Sequence, residues 1–196
     1  MLKPKEEIKL DLVVKARELL KNKGSEFLTA RKLADYSGYS VGTIYNQFKS
    51  MDNLFMWENC QTLDELYEKL RLVEFGSDAY RNLNQLLDKF VEFVLENKSL
   101  WFALYKFHFT STAIDYEPFY LRRIIKIVQL LDHNVHKLFA KISDKERIVS
   151  TEVLFTTIFS LSSLLTTEKE FVRLEKKYVV KILFNTYLAG MTFLKK

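Results

Sequence analysis

The sequence has few of the residues that interrupt helices, with 5 glycines and 2 prolines among 196 residues. It also lacks any sustained alternation of apolar and polar residues, which is the pattern typical of β-strands. The long stretches between these rare breaks have apolar residues at helical spacing. We therefore predict an all-α protein.

Cysteine is nearly absent, because Cys60 is the one cysteine of the chain. No disulfide can form within one chain, which fits a reducing compartment. The N-terminus is charged throughout and lacks the apolar segment of a signal peptide. The longest uncharged stretch, residues 153–167, is shorter than the roughly 20 residues that a membrane-spanning helix needs. We expect a cytoplasmic protein without a membrane partner.

Motifs typical of catalysis are also missing, since the sequence has no glycine-rich phosphate loop and no HExxH motif. His133 and His136, with Asp132 beside them, have a spacing that can hold zinc, but no third ligand stands at a suitable distance. We interpret both histidines as solvated. Cys60 has no neighbouring histidine to activate it. The sequence therefore predicts no catalytic residue, no metal and no cofactor.

Positive charge is concentrated at the N-terminus, where residues 1–50 hold ten Lys or Arg and six Asp or Glu. This segment therefore carries +4 of the net charge of +5. A basic end on a nearly neutral body is typical of a protein that binds a polyanion. A solvated surface with uneven charge fits the composition equally well.

The basic segment is predicted to contain three helices joined by short turns. The first covers about residues 5–22, and Thr29 is a suitable N-cap for the second. Residues 37–40 (Ser-Gly-Tyr-Ser) make a tight turn, and the third helix covers residues 41–48. This arrangement, with a glycine in the second turn, predicts a helix-turn-helix unit. Further helices are predicted from Ser50 to about residue 73 and over residues 79–96, 99–109, 118–141, 144–167 and 170–196.

Residues 23–54 read KGSEFLTARKLADYSGYSVGTIYNQFKSMDNL. Their order and spacing resemble the DNA-binding domain of the tetracycline-repressor (TetR) family of bacterial regulators. The rest of the chain is similar to that family in length and helicity alone. The matching residues are Gly24, Thr29, Leu33, Ala34, the turn Ser37-Gly38-Tyr39-Ser40, Gly42-Thr43-Ile44-Tyr45, Phe48, Ser50 and Leu54.

The third helix has the side chains that DNA recognition requires. Ile44 and Phe48 share one face and should anchor the helix, while the opposite side carries small and polar residues. The resemblance implies that the unit contacts phosphates and that the third helix, with Arg31, reads bases. Met51 stands where the family usually has lysine, so we do not count position 51 among the DNA contacts. Lys49 is the nearest basic residue and can supply the missing positive charge. The predicted DNA-binding residues are Thr29, Arg31, Ser40, Val41, Gly42, Thr43, Tyr45, Asn46 and Lys49.

Residues 90–120 are rich in aromatic side chains, which fits a packed core and also an apolar pocket. The resemblance implies a small-molecule site in this part of the chain. We expect an apolar or amphipathic effector, with His108 or Tyr120 as its polar contact. The predicted pocket residues are Phe90, Phe93, Trp101, Tyr105, His108, Phe109 and Tyr120.

The last predicted helix has two adjacent apolar stripes, which indicates burial on both sides. One recognition helix reads only a few base pairs, so useful specificity calls for two copies of the chain. We therefore predict a homodimer through the last two helices. The predicted interface residues are Thr156, Ser160, Ser163, Ile182, Thr186, Ala189, Gly190 and Phe193.

Together these patterns predict a ligand-responsive repressor that binds a double-stranded DNA operator. Residues 1–50 are predicted to form the helix-turn-helix domain, and residues 74–196 a helical ligand-sensing and dimerisation domain. The helix over residues 51–73 is predicted to connect the two domains. A helical protein-interaction module that does not bind DNA is the first alternative. An enzyme is the second, and the missing catalytic residues argue against it.

Overall fold

The computed structural model describes residues 5–110, 117–139, 142–166 and 175–193, without the side chains of residues 109, 176, 177 and 191–193. Every regular element within these ranges is helical, and none is a strand. The prediction of an all-α chain that begins with a helix-turn-helix domain is confirmed. The side chains of Phe109 and Phe193, predicted for the pocket and the interface, lie outside the described residues.

The described ranges contain nine α-helices and one short 3₁₀ helix, η1, between the first two. The helices at 41–48 and 79–96 have the predicted bounds, and the fourth begins at Met51, where the Ser50 hydroxyl accepts from the backbone N–H of Asn53 at 3.1 Å. The bounds are α1 Lys5–Lys23, η1 Ser25–Phe27, α2 Ala30–Ser37, α3 Val41–Phe48, α4 Met51–Arg71, α5 Ala79–Glu96, α6 Lys98–Thr110, α7 Pro118–Leu138, α8 Asp144–Leu164 and α9 Lys176–Phe193.

The chain divides into two compact units, and the sequence crosses between them within α4, between α5 and α6, and within α7. The first unit contains residues up to 63 together with 97–120, so it includes α6 besides the first three helices. The second contains residues 64–96 and those from 121 onwards. The predicted domain boundaries, after residues 50 and 73, stay predictions.

The first unit is built on a core shared by α1, α2, α3, the start of α4 and α6. Leu12, Leu20 and Leu33 are fully buried there, and α6 contributes Leu100 and Ala103. Burial of each of these leucine side chains stabilises the unit by roughly 1.5–3 kcal/mol, so this core holds the short helices α2 and α3 in place.

The second unit is built on α5, α7, α8 and α9, together with the end of α4. Its buried side chains include Leu83, Ile127, Leu154 and Phe184, one from each of α5, α7, α8 and α9. Helix α8 begins with a capping box, in which Ser143 and Glu146 each accept a hydrogen bond from the other's backbone N–H. Among the helices described, none has an apolar stretch long enough to cross a membrane.

Candidate DNA-binding interface

The turn between α2 and α3 is fixed by local hydrogen bonds. Thr29 caps α2, since its hydroxyl accepts from the backbone N–H of Lys32 at 3.3 Å. Gly38 ends the helix with a φ of 77°, and its N–H donates to the carbonyl of Ala34 at 3.0 Å. Glycine adopts this left-handed conformation without the steric cost that a Cβ adds. The caps and turn predicted for this segment are confirmed.

Helix α3 is capped by Ser40 and anchored by two apolar side chains. The Ser40 hydroxyl accepts from the backbone N–H of Thr43 at 3.0 Å and lies 2.9 Å from the Thr43 hydroxyl. Ile44 and Phe48 are 1% and 2% exposed, so they hold one face of the helix against the core. The opposite face is therefore presented outwards in a fixed orientation.

The outward face of α3 carries most of the predicted contacts. Val41 and Tyr45 are 38% and 45% exposed, and Gly42 and Asn46 are exposed beside them. A Cβ on Gly42 would meet only the Ser40 hydroxyl oxygen, at an ordinary contact distance of 3.6 Å. The fold itself thus has room for a larger residue at this position, although glycine weakens a helix by about 1 kcal/mol relative to alanine.

Lys49 follows α3 in a conformation that is unusual for a residue with a side chain. Its φ is 65°, whereas the other residues described with positive φ are glycines. The left-handed region costs an L-residue roughly 1–2 kcal/mol, so glycine would be less strained here. Lys49 is exposed, while Met51 is half-buried and packs against the core of the unit. The lysine missing at 51 is thus replaced by a packing residue.

The remaining predicted contacts lie on α2, where Arg31 is exposed in the first turn and Thr29 is exposed at the cap. Sequence reasoning missed the hydrogen bonds that hold this helix and its turn to α1. The Tyr36 hydroxyl donates to Glu18 at 2.9 Å, and the Tyr39 hydroxyl donates to Asp11 at 2.8 Å. The hydrogen bond from Tyr36 and a second one from a lysine hold the pKa of the Glu18 carboxyl below its ordinary value. Tyr39 of the turn is therefore a link to α1.

A buried ion pair between α1 and α4 was also missed. Arg17 Nη1 donates to Glu58 Oε1 at 2.6 Å and to the Thr62 hydroxyl at 2.8 Å. The Thr62 hydroxyl donates in turn to the same Glu58 oxygen at 3.0 Å. A signal was present in the sequence, because Arg17 lies on the apolar stripe formed by Val13, Ala16 and Leu20.

The structure divides the predicted pocket residues between the two units. Phe90 and Phe93 are buried in α5, and the gap that Phe90 lines holds about 10 Å³, which is barely room for one water molecule. Trp101, Tyr105 and His108 lie on α6 in the first unit. Trp101 is fully buried, whereas Tyr105 is partly exposed.

His108 and Tyr120 are brought together in the first unit. His108 Nδ1 lies 2.9 Å from the Leu104 carbonyl oxygen, so we assign the proton to Nδ1. Nε2 then accepts from the Tyr120 hydroxyl at 3.3 Å. Burial lowers the pKa of His108, while the hydrogen bond to Leu104 opposes this shift. The two residues predicted as polar contacts thus satisfy each other.

The predicted interface residues lie on α8 and α9, which pack against each other. Thr156, Ile182, Thr186, Ala189 and Gly190 are exposed, and Ser160 is partly exposed. Ser163 is instead buried, and its hydroxyl donates to the Phe159 carbonyl at 2.9 Å within α8. This serine therefore belongs to the interior of the unit.

The two histidines with metal-ligand spacing, His133 and His136, are exposed on α7. Phe75 stacks on the ring of His133, and Asp132 accepts hydrogen bonds from Arg147 and Thr151. Within the described ranges, no three His, Cys, Asp or Glu side chains come close enough together to hold a metal ion.

The anchored α3, with its exposed outer face and capped turn, defines a helix-turn-helix protein. Residues 12–56 match the family model described as "Bacterial regulatory proteins, tetR family". The resemblance predicted from the motif is therefore confirmed over these residues. No curated protein matches the chain in sequence.

Solved structures, among them one described as a TetR-family transcriptional repressor, share the fold over nearly the whole chain. The FadR repressor of Thermus thermophilus, in complex with lauroyl-CoA, is 18% identical, with 93% of this chain and 94% of FadR covered at a TM-score of 0.69. BioQ with its double-stranded DNA operator is 15% identical, with 92% and 98% covered at 0.68. RolR in complex with resorcinol is 15% identical, with 95% and 88% covered at 0.69. At these identities the comparison shows the fold alone.

Proposed function

We propose that this chain is a cytoplasmic, sequence-specific DNA-binding regulator that acts as a homodimer. It represses transcription from a double-stranded operator, and a small apolar or amphipathic effector releases it. The outward face of α3 carries this proposal, because the buried anchors Ile44 and Phe48 fix the helix while Gly42, Tyr45 and Asn46 remain exposed. A helix held in this way enters the major groove as a rigid body.

The residues around α3 supply phosphate contacts on both sides of it. Thr29 offers a hydroxyl and the N-terminal end of α2, where the helix dipole favours an anion. Lys49 offers a full positive charge just after α3. Tyr45 and Thr43 contribute hydroxyls to phosphates, while Val41, Asn46 and Arg31 read bases.

Dimerisation is supported by the surface of the second unit. Val149 and Val153 on α8 are 51% and 47% exposed, and Ile182 and Leu183 on α9 are 42% and 39% exposed. Apolar side chains exposed together on two adjacent helices mark a surface that another protein covers. Ala189 and Gly190 permit a close approach of the partner's helices.

Operator binding is supported by a protein of the same fold, because BioQ was solved with its double-stranded DNA operator.

The effector proposal rests on α6. Trp101, Tyr105 and His108 lie on this helix, in the unit that also carries α3, and Tyr120 contacts His108. FadR and RolR, which share the fold, were solved with an acyl-CoA and a small phenol. An effector that binds the DNA-free state more tightly should weaken operator binding about 5- to 150-fold, the usual range of coupling.

The experiment is to select bound sequences from a random DNA pool and to measure their affinity by fluorescence anisotropy over a salt series. Lys49→Ala should weaken binding to all sequences alike and lower the salt dependence by about 1 unit per half-site, since one phosphate contact is lost. Asn46→Ala should instead change the preferred sequence.

The matched control is Lys145→Ala, which removes an exposed lysine from α8. It should leave affinity and salt dependence unchanged. An unchanged salt dependence in Lys49→Ala would remove Lys49 from the interface. If the random pool yields no enriched sequence, the chain is not a sequence-specific regulator.

A further inference from the structure

A cleft of about 270 Å³ lies within the first unit, beside the helix-turn-helix. Its walls come from η1 and the start of α2, from the beginning of α4 and from the last turns of α6. The lining residues are Ser25, Glu26, Leu28, Thr29, Asp52, Phe55, Ala103, Lys106, Phe107 and Thr110. It contains none of the residues predicted for the effector pocket.

The floor of this cleft is apolar. Leu28, Ala103 and Phe107 are almost completely buried, and Phe55 is partly exposed beside them. An apolar ligand gains affinity from such a floor, because the contact removes both apolar surfaces from water. A ligand for this site therefore needs an apolar body.

The charges around the cleft are already matched within the protein. Glu26 and Lys106 form an ion pair whose side chains are 80% and 38% exposed, so the pair stays in contact with solvent. Asp52 lies in the first turn of α4, where the helix dipole favours a negative charge, and it has an interaction partner of its own. The N-terminal end of α2 and the C-terminal end of α6 both line the cleft, and their partial charges are of opposite sign. A cation or an anion would therefore lose hydration here without gaining a free counter-charge, which favours a neutral ligand.

Hydroxyl groups supply the polar contacts of the cleft. Ser25 lines it, and the Ser25 hydroxyl oxygen is buried without a hydrogen-bond partner among the described residues. A buried hydroxyl without a partner is unfavourable, so a ligand oxygen that accepts its proton is stabilised. The Thr110 hydroxyl donates to the Lys106 carbonyl at 2.8 Å, so its oxygen can still accept from a ligand. A ligand hydroxyl, which is both a donor and an acceptor, matches these two groups.

The volume limits the size of the ligand. Ligand sites for drug-sized molecules occupy about 300–1,000 Å³, so this cleft is just below that range. At the ~30 Å³ that each water occupies in the liquid, its volume corresponds to about nine non-hydrogen atoms. We propose that this cleft is a second ligand site, which binds a small neutral molecule that has a hydroxyl group on an aromatic or alkyl body.

The test uses the full chain and 2-phenylethanol, with 2-phenylethylammonium and phenylacetate as the cationic and anionic analogues. Ligand-observed NMR titration at pH 7 measures the three affinities without DNA, so the result does not depend on the proposed regulatory function. We expect the alcohol to bind with a Kd of about 0.1–1 mM. Each charged analogue should bind at least about ten-fold more weakly, because its hydration is lost without a free counter-charge. Equal or tighter binding of either charged analogue would overturn the proposal.

The variant Ser25→Ala locates the bound alcohol. It should weaken binding about two- to ten-fold, since one neutral hydrogen bond to the ligand is lost. The fold should keep its stability in circular dichroism melts, because within the described part of the chain the Ser25 hydroxyl has no partner to lose. The control is Ser77→Ala, which makes the same change at an exposed serine outside the cleft and should leave the affinity unchanged. Equal affinity of wild type and Ser25→Ala would place the alcohol elsewhere and refute the assignment of this site.

Discussion

The buried pair of Arg17 and Glu58 allows a quantitative test of what holds α1 to α4. Their side chains are 6% and 0% exposed, and the closest nitrogen and oxygen are 2.6 Å apart. Removal of one partner leaves the other charge buried, which costs about 3–5 kcal/mol. We therefore expect Arg17→Met and Glu58→Leu each to lower the free energy of unfolding by about that amount.

The double variant separates the pair interaction from packing. Apolar replacements of both members of a buried pair are often neutral or stabilising, so Arg17→Met/Glu58→Leu should be more stable than either single variant. The variant Lys15→Met, which breaks the partly exposed pair of Lys15 with Glu18, should have little effect.

Urea denaturation followed by tryptophan fluorescence measures these changes. Trp57 and Trp101, the 2 tryptophans of the chain, both belong to the first unit, so the signal reports the unfolding of that unit. If the double variant loses as much stability as the two single losses added together, then the two side chains act independently and the account of the buried pair is wrong.

Two further predictions concern pH and the outward face of α3. Burial lowers the pKa of His108 below 6.5, so the unfolded chain binds the proton more readily, and the free energy of unfolding should fall as the pH decreases below about 6.5. In urea titrations at pH 5.5 and 7.5, His108→Gln should reduce the change in the free energy of unfolding between the two pH values, whereas the control His133→Gln, at an exposed histidine, should not. An equal change in wild type and His108→Gln would show that His108 does not cause the pH dependence. Gly42→Ala should stabilise the fold by up to about 1 kcal/mol yet weaken operator binding, and unchanged anisotropy titrations would show that no close approach occurs at this position.

The local features of the first unit were predictable from the sequence because each depends on residues a few positions apart. Thr29, Gly38 and Ser40 mark the ends of short helices through cap and turn chemistry. The spacing of Ile44 and Phe48 places both on one helix face. These few residues determine which side of α3 faces outwards, so the candidate interface could be deduced before any coordinates.

The contacts between distant segments could not be deduced in the same way. The periodicity of α6 shows that one face is buried, but nothing in it indicates that Leu100 and Ala103 pack on the helix-turn-helix core. The partner of Arg17 lies 41 positions away, at Glu58. Ser163 has the small size expected at a helix interface, yet its hydroxyl bonds within its own helix. Pattern alone does not identify the partner of a buried face or a buried charge.

Gly42 and Lys49 are the positions where local preference and observed structure disagree most clearly in the first unit. Gly42 makes α3 less stable than a helix-forming residue at that position would. Lys49, with a φ of 65°, likewise makes the unit less stable than a glycine at that position would. Neither choice is explained by a neighbour within the unit, since Gly42 has room for a Cβ and Lys49 is exposed. Residues that break a local rule without an internal reason are expected where a protein meets its partner. Gly42 lies on the exposed face of α3 and Lys49 directly follows this helix, so both residues reduce stability where DNA is proposed to bind.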